Sequence, residues 1–162
     1  MAEVTFRAPF TLKLYVDRDT LHEEKFEKIP YVQDGAVFLF KDDEFGVNID
    51  VRGGQVVDVA YAPVLADLTF RFSQRISRRN GVTMVLEMEN HTDEVIVMDA
   101  MMTLPGDQDI LRAVVFPVSP GIESQESWNH PIVQLVLYGF RTLSPQQVGV
   151  EPRRSGRHRV RH

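Results

Sequence analysis

Residues 81–104 read GVTMVLEMENHTDEVIVMDAMMTL, two strand-length runs divided by the polar break Asn90-His91-Thr92-Asp93-Glu94. In the first run Val82, Met84, Leu86 and Met88 fall on one side, against Thr83, Val85, Glu87 and Glu89. Side chains alternate across a strand, so this spacing gives one apolar and one mostly wet face. In the second run Ile96, Met98, Ala100, Met102 and Leu104 oppose Val95, Val97, Asp99, Met101 and Thr103. That run is apolar on both faces for most of its length, the pattern of a central strand covered on both sides. A four- or five-residue polar loop between two such runs predicts a β-hairpin.

The same rhythm continues outward. Val4 to Val16 alternates cleanly and reads as one long strand, or two broken near Pro9, since proline cannot donate to a ladder. The charged stretch Asp17 to Lys28 reads as a loop or as one short helix near 19–28, capped by Asp19 or Thr20. Ala36–Phe40 and Phe45–Val51 read as strands joined by a polar hairpin loop, Lys41-Asp42-Asp43-Glu44. Gly53-Gly54 marks a tight turn into Gln55–Tyr61, and Asn80-Gly81 another before the run at 82. Leu68, Phe70 and Phe72 alternate, as do Ile132 to Leu143, whereas Ser119 to His130 shows no period.

Roughly 9–10 short antiparallel strands with frequent turn signals predict an all-β fold, a β-sandwich of immunoglobulin-like or jelly-roll-like kind. The cysteine–tryptophan–cysteine markers of antibody domains are missing, so strand rhythm alone carries this expectation. At 162 residues the chain fits one domain, residues 1–143, with an N-terminal half (1–62) and an immunoglobulin-like half (66–143) as its natural subdivision. Residues 144–162 turn polar, proline-rich and basic, and are expected to be a disordered tail.

Charge is divided unevenly. The net −5 includes a tail with Arg153, Arg154, Arg157, Arg159 and Arg161; without those five, 13 basic and 23 acidic residues leave −10. An acidic body argues against a nucleic-acid-binding face on the fold, although the tail itself is suited to an anionic partner. No stretch approaches the roughly 20 apolar residues that span a bilayer. No signal peptide is visible at Met1-Ala2-Glu3-Val4, which gives a cytoplasmic location by default, or a periplasmic or secreted one if a leader has been removed. Without cysteine there is no disulfide, thiolate metal site or cysteine nucleophile.

Chemistry-bearing motifs are sparse. There is no G-x-S-x-G, no phosphate-binding G-x-x-x-x-G-K-[ST] or G-x-G-x-x-G, and no H-E-x-x-H. Asp17-Arg18-Asp19 lacks the remaining ligands of a calcium loop, and Asp42-Asp43-Glu44 reads as a solvated acidic tip. The densest stretch is Glu123-Ser124-Gln125-Glu126-Ser127-Trp128-Asn129-His130, which holds the only tryptophan. Read as a loop, it offers Glu123, Glu126, Trp128 and His130 as contacts to a ligand or partner, with Glu126 and His130 a conceivable zinc pair. The plainer reading is that Trp128 plugs the end of the sandwich. No catalytic set, metal or cofactor emerges. The leading expectation is therefore a non-enzymatic interaction module or assembly subunit that binds another protein, self-association included. The alternative is a carbohydrate- or small-ligand-binding module built on a displayed Trp128.

Overall fold

The computed structural model describes residues 3–79 and 81–143, so the arginine-rich tail lies outside the described residues. Those residues hold twelve strands and no helix, all paired antiparallel. They are β1 (Phe10–Tyr15), β2 (Leu21–Phe26), β3 (Val32–Gln33), β4 (Ala36–Leu39), β5 (Glu44–Arg52) and β6 (Gln55–Ala62). Then follow β7 (Leu68–Ser77), β8 (Gly81–Asn90), β9 (Ile96–Thr103), β10 (Ile110–Ala113), β11 (Glu123–Trp128) and β12 (Gln134–Thr142).

Ten of these strands form two five-stranded sheets packed face to face in a β-sandwich. Sheet I has the order β10-β9-β12-β4-β3 and sheet II the order β11-β8-β7-β5-β6, while β1 and β2 pair with each other. Strands from before and after residue 65 share both sheets. The core is the apolar phase of each strand: Val37, Leu39, Ile96, Met98, Met102, Leu135 and Leu137 from sheet I meet Val47, Leu68, Phe70, Phe72, Met84, Leu86 and Met88 from sheet II. Burying such side chains contributes on the order of 1.5–3 kcal/mol each, the main term holding the sheets together.

Two expected hairpins are instead crossovers between the sheets. β8 lies in sheet II and β9 in sheet I, so residues 90–95 form an arch. The cause is Asn90, whose side chain is fully buried. Its Nδ2 donates to the carbonyl oxygens of Glu94 (2.7 Å) and Val118 (2.8 Å). Its Oδ1 accepts from the Thr92 amide (2.9 Å) and hydroxyl (2.7 Å). Both hydrogens and both lone pairs of the amide are used, so one side chain replaces the ladder that a hairpin would have made. Asn90→Ala is expected to cost about 3 kcal/mol, because the groups it releases have no water to turn to. Urea unfolding checks this; a loss below 1 kcal/mol contradicts a clamping role.

Residues 40–43 make the second crossover, from β4 in sheet I to β5 in sheet II. Asp42 adopts a left-handed φ of +74°, and its amide donates to Phe72 O at 2.7 Å. Asp43 accepts from the Phe40 amide at 2.7 Å and from Arg7 Nη2 at 2.6 Å. Asp43 is thus tied to a buried cation, while Asp42 and Glu44 stay exposed as the acidic tip.

Arg7 sits on the phase the sequence marks as wet, yet it is only 6% exposed. Its guanidinium donates to Pro30 O (2.7 Å) and Phe38 O (2.5 Å) as well as to Asp43. Tyr31, Phe40 and Phe45 surround it with ring centroids at 4.5, 5.0 and 5.8 Å, within cation–π range. Tyr61 stacks on Tyr31 at 4.5 Å, and its burial there pushes the phenol above its ordinary value. The expected run 4–16 breaks near Pro9: Phe6 makes a bridge to Pro30 and β1 begins at Phe10.

The helix expected near 19–28 is strand β2. Asp17 Oδ1 accepts from the amides of Asp19 and Thr20, both at 2.8 Å, and turns the chain back. The Asp19 amide bond holds the Asp17 carboxyl below its usual value. Lys13 then faces Glu23, and Phe10 stacks on Phe26 with both against Phe40. Cross-strand pairing outweighs the weak helical preference of HEEK. The Gly53-Gly54 turn joins β5 and β6 as expected, with φ of +60° and +78°.

Candidate functional site

The stretch 119–130 is not an aperiodic loop. Residues 123–128 are β11, the edge strand of sheet II, paired with β8 from Glu123↔Glu89 to Trp128↔Met84. Its pattern looks aperiodic because one of its core-facing residues is a carboxylate. Glu126 and Trp128 point inward, at 2% and 4% exposure. Glu123 stays exposed, across the ladder from Glu89, and His130 follows the strand, partly buried. The structure therefore brings Trp128 and His130 to one site, makes Glu126 a structural group beside it, and leaves Glu123 apart on the outer face.

That site is a cleft of about 500 Å³ between the edge strands β10 and β11. Met102 of sheet I and Trp128 of sheet II form its floor, residues 111–114 one wall, and Phe116 and His130 the rest. The two edges are clasped where Glu126 Oε2 accepts from the Phe116 amide at 2.8 Å. His130 Nδ1 lies 3.2 Å from the Pro131 carbonyl oxygen. Among the described residues no carboxylate lines the cleft. Among the described residues no group of three His, Cys, Asp or Glu is placed to hold a metal ion, so Glu126 and His130 gain no third ligand there.

The outer faces of the sheets differ in kind. Sheet II presents the cross-strand row Glu44–Arg71–Glu87–Gln125, with Arg71 Nε 3.0 Å from Glu87, and beside it Thr69–Glu89–Glu123. Sheet I presents Phe38–Val136–Met101–Arg112, flanked by Gln134–Thr103–Ile110 and by Tyr138. Phe38, Val136, Met101, Tyr138 and Ile110 border a depression of about 450 Å³. Ile110 is 62% exposed at its edge, and Val114 is 73% exposed farther along the chain.

Set against known protein families, curated proteins and solved structures, the chain matches none of them. Any functional reading rests on this geometry.

The apolar outer face of sheet I was half legible: the second run of 81–104 is apolar on both phases, which predicts a cover on both sides. Its outer phase, Val97 and Met101, has no covering element among the described residues and is partly exposed. Phe38 and Val136 belong to the same face, and only the register of β4 and β12 against β9 brings them together. The inner phase of β11, Ser124, Glu126 and Trp128, was not legible as strand.

Asp99 and Arg141 close one end of this face, 3.2 Å apart, where the β9–β12 register shifts. Gly139 makes that bulge with a φ of +64°, and a Cβ there would fall 2.7 Å from Asp99 Oδ2. No helix among the described residues is long and apolar enough to cross a membrane.

Proposed function

We propose that this chain is an interaction module that binds another protein, and that the outer face of sheet I is its docking surface. What supports the reading is the contrast between the two outer faces. One is built of charges that water solvates well; the other carries the apolar row Phe38–Val136–Met101, partly exposed at Phe38 and Met101 and buried at Val136, beside a depression. Contiguous exposed apolar surface rimmed by polar groups is the usual mark of a protein interface. Arg112, Gln134 and the Asp99–Arg141 pair supply such a rim. The carbohydrate reading loses its main support, since Trp128 is 4% exposed at the base of a cleft rather than displayed on a loop.

The reading is tested by isolating the tagged chain from the cells that make it. Bound proteins are compared for wild type, Met101→Lys on sheet I and Gln125→Lys on sheet II. The expected result is a bound protein, a second copy included, that is lost with Met101→Lys and retained with Gln125→Lys. Both positions tolerate a long polar side chain, so the monomer's melting temperature should move little. A complex that survives Met101→Lys while folding is intact rejects sheet I as the docking face.

A further inference from the structure

The cleft between β10 and β11 opens on the inner side of β10, where Leu111 and Ala113 lie opposite Met102 and Ala100, and it meets the docking face at Arg112 and Met102. We propose that it binds a small amphipathic anion, an apolar chain or ring bearing a carboxylate at one end.

Three observations lead to this class. The first is size and lining. About 500 Å³ lies within the roughly 300–1,000 Å³ of small-molecule sites, and Met102, Leu111, Ala113, Phe116 and Trp128 make most of the wall apolar. The second is charge. Among the described residues no carboxylate lines the cleft, while Arg112 and His130 do. Arg112 is exposed, lies on the edge strand with its side chain on the outer side, and makes no ion pair among the described residues. A long side chain on an edge strand can lay its stem along apolar surface and bring its head round to a ligand at the mouth. The third is burial along the cleft. Trp128 and Met102 are 4% and 3% exposed, whereas Arg112 is exposed. The ligand's apolar part therefore lies against Trp128 and Met102, and its anionic head stays at the mouth beside Arg112. Guanidinium–carboxylate hydrogen bonds are the strong, charge-assisted kind.

The proposal does not depend on the docking reading, and its test keeps the two apart. Decanoate, decanol and decyltrimethylammonium are titrated below micelle formation into the full chain. Trp128 is the only tryptophan and lies in the cleft wall, so its emission reports occupancy directly. The expected result is a saturable change with decanoate, at an affinity about tenfold above that for decanol, the size of one charge-assisted hydrogen bond at a partly wet mouth. Arg112→Gln should remove that preference and leave decanol binding unchanged. Phe38→Ser, on the docking face but separated from β10 by β9 and β12, should leave decanoate binding unchanged. No saturable change with any probe overturns the proposal. So do equal affinities for all three, a preference that survives Arg112→Gln, or loss of binding with Phe38→Ser in a folded variant.

Discussion

Replacing Asp43 with alanine is expected to destabilise the chain by about 3–5 kcal/mol, the cost of leaving a buried charge without its partner. Arg7 is 6% exposed and boxed by Tyr31, Phe40 and Phe45, so water cannot take the place of the carboxylate. Two main-chain carbonyls, Pro30 and Phe38, continue to accept from it, but neither carries a charge. The Phe40 amide loses its acceptor in the same step. Urea unfolding should show a lower midpoint with an unchanged slope, because the native state keeps its buried surface. The double variant Arg7→Met, Asp43→Ala should recover much of the loss, since an apolar side chain suits a cage of rings better than an unpaired cation. A single-variant loss under 1 kcal/mol means that the guanidinium is hydrated and the cage does not bury it.

The second large effect is expected at Trp128→Ala, at about 3–4 kcal/mol, the lower part of the range for an aromatic core truncation. The indole is 4% exposed and packs at the floor of the cleft with Met102. A fully enclosed site would leave a dry void and the full penalty. Here the new volume joins an open cleft, so water enters and part of the cost is relieved. Thermal and urea unfolding measure the loss, and Trp128→Phe should recover more than half of it. A variant as stable as wild type contradicts the burial of Trp128 and removes the floor from the cleft.

These two sites show which links between sequence and fold can be read from pattern. Alternation locates β8, β9 and β12, because half of each strand faces a core and half does not. It cannot distinguish a hairpin from an arch. Met84, Leu86 and Met88, and then Ile96, Met98 and Met102, face inward whether β8 and β9 share a sheet or oppose each other across the core. The deciding residue is Asn90, whose polar side chain resembles any turn former until its four hydrogen bonds are seen. Gly53-Gly54 was legible because two consecutive positive φ angles demand glycine and make a tight hairpin between paired strands.

Polar residues in the interior hid the rest. Glu126 and Asn90 occupy buried positions where the apolar phase of a strand is broken, and Arg7 is buried from the phase that reads as wet, so the pattern fails at those points. Each is held by a partner distant in sequence: Asp43 and Pro30 for Arg7, Phe116 for Glu126, Val118 for Asn90. Long-range satisfaction has no local signature. The cleft is a consequence of this. Its two walls are 15 residues apart at Ala113 and Trp128, and the clasp that frames it joins a main-chain amide to a carboxylate that reads as solvent-facing.

The docking face is tested most directly by a photo-crosslinking benzophenone side chain placed at position 101, and in parallel at position 125, in the full chain within its own cells. The account predicts a discrete protein adduct, of a second copy or another chain, from position 101 and none from position 125. Adducts from 125 alone, from both positions equally, or from neither contradict a docking surface on the outer face of sheet I.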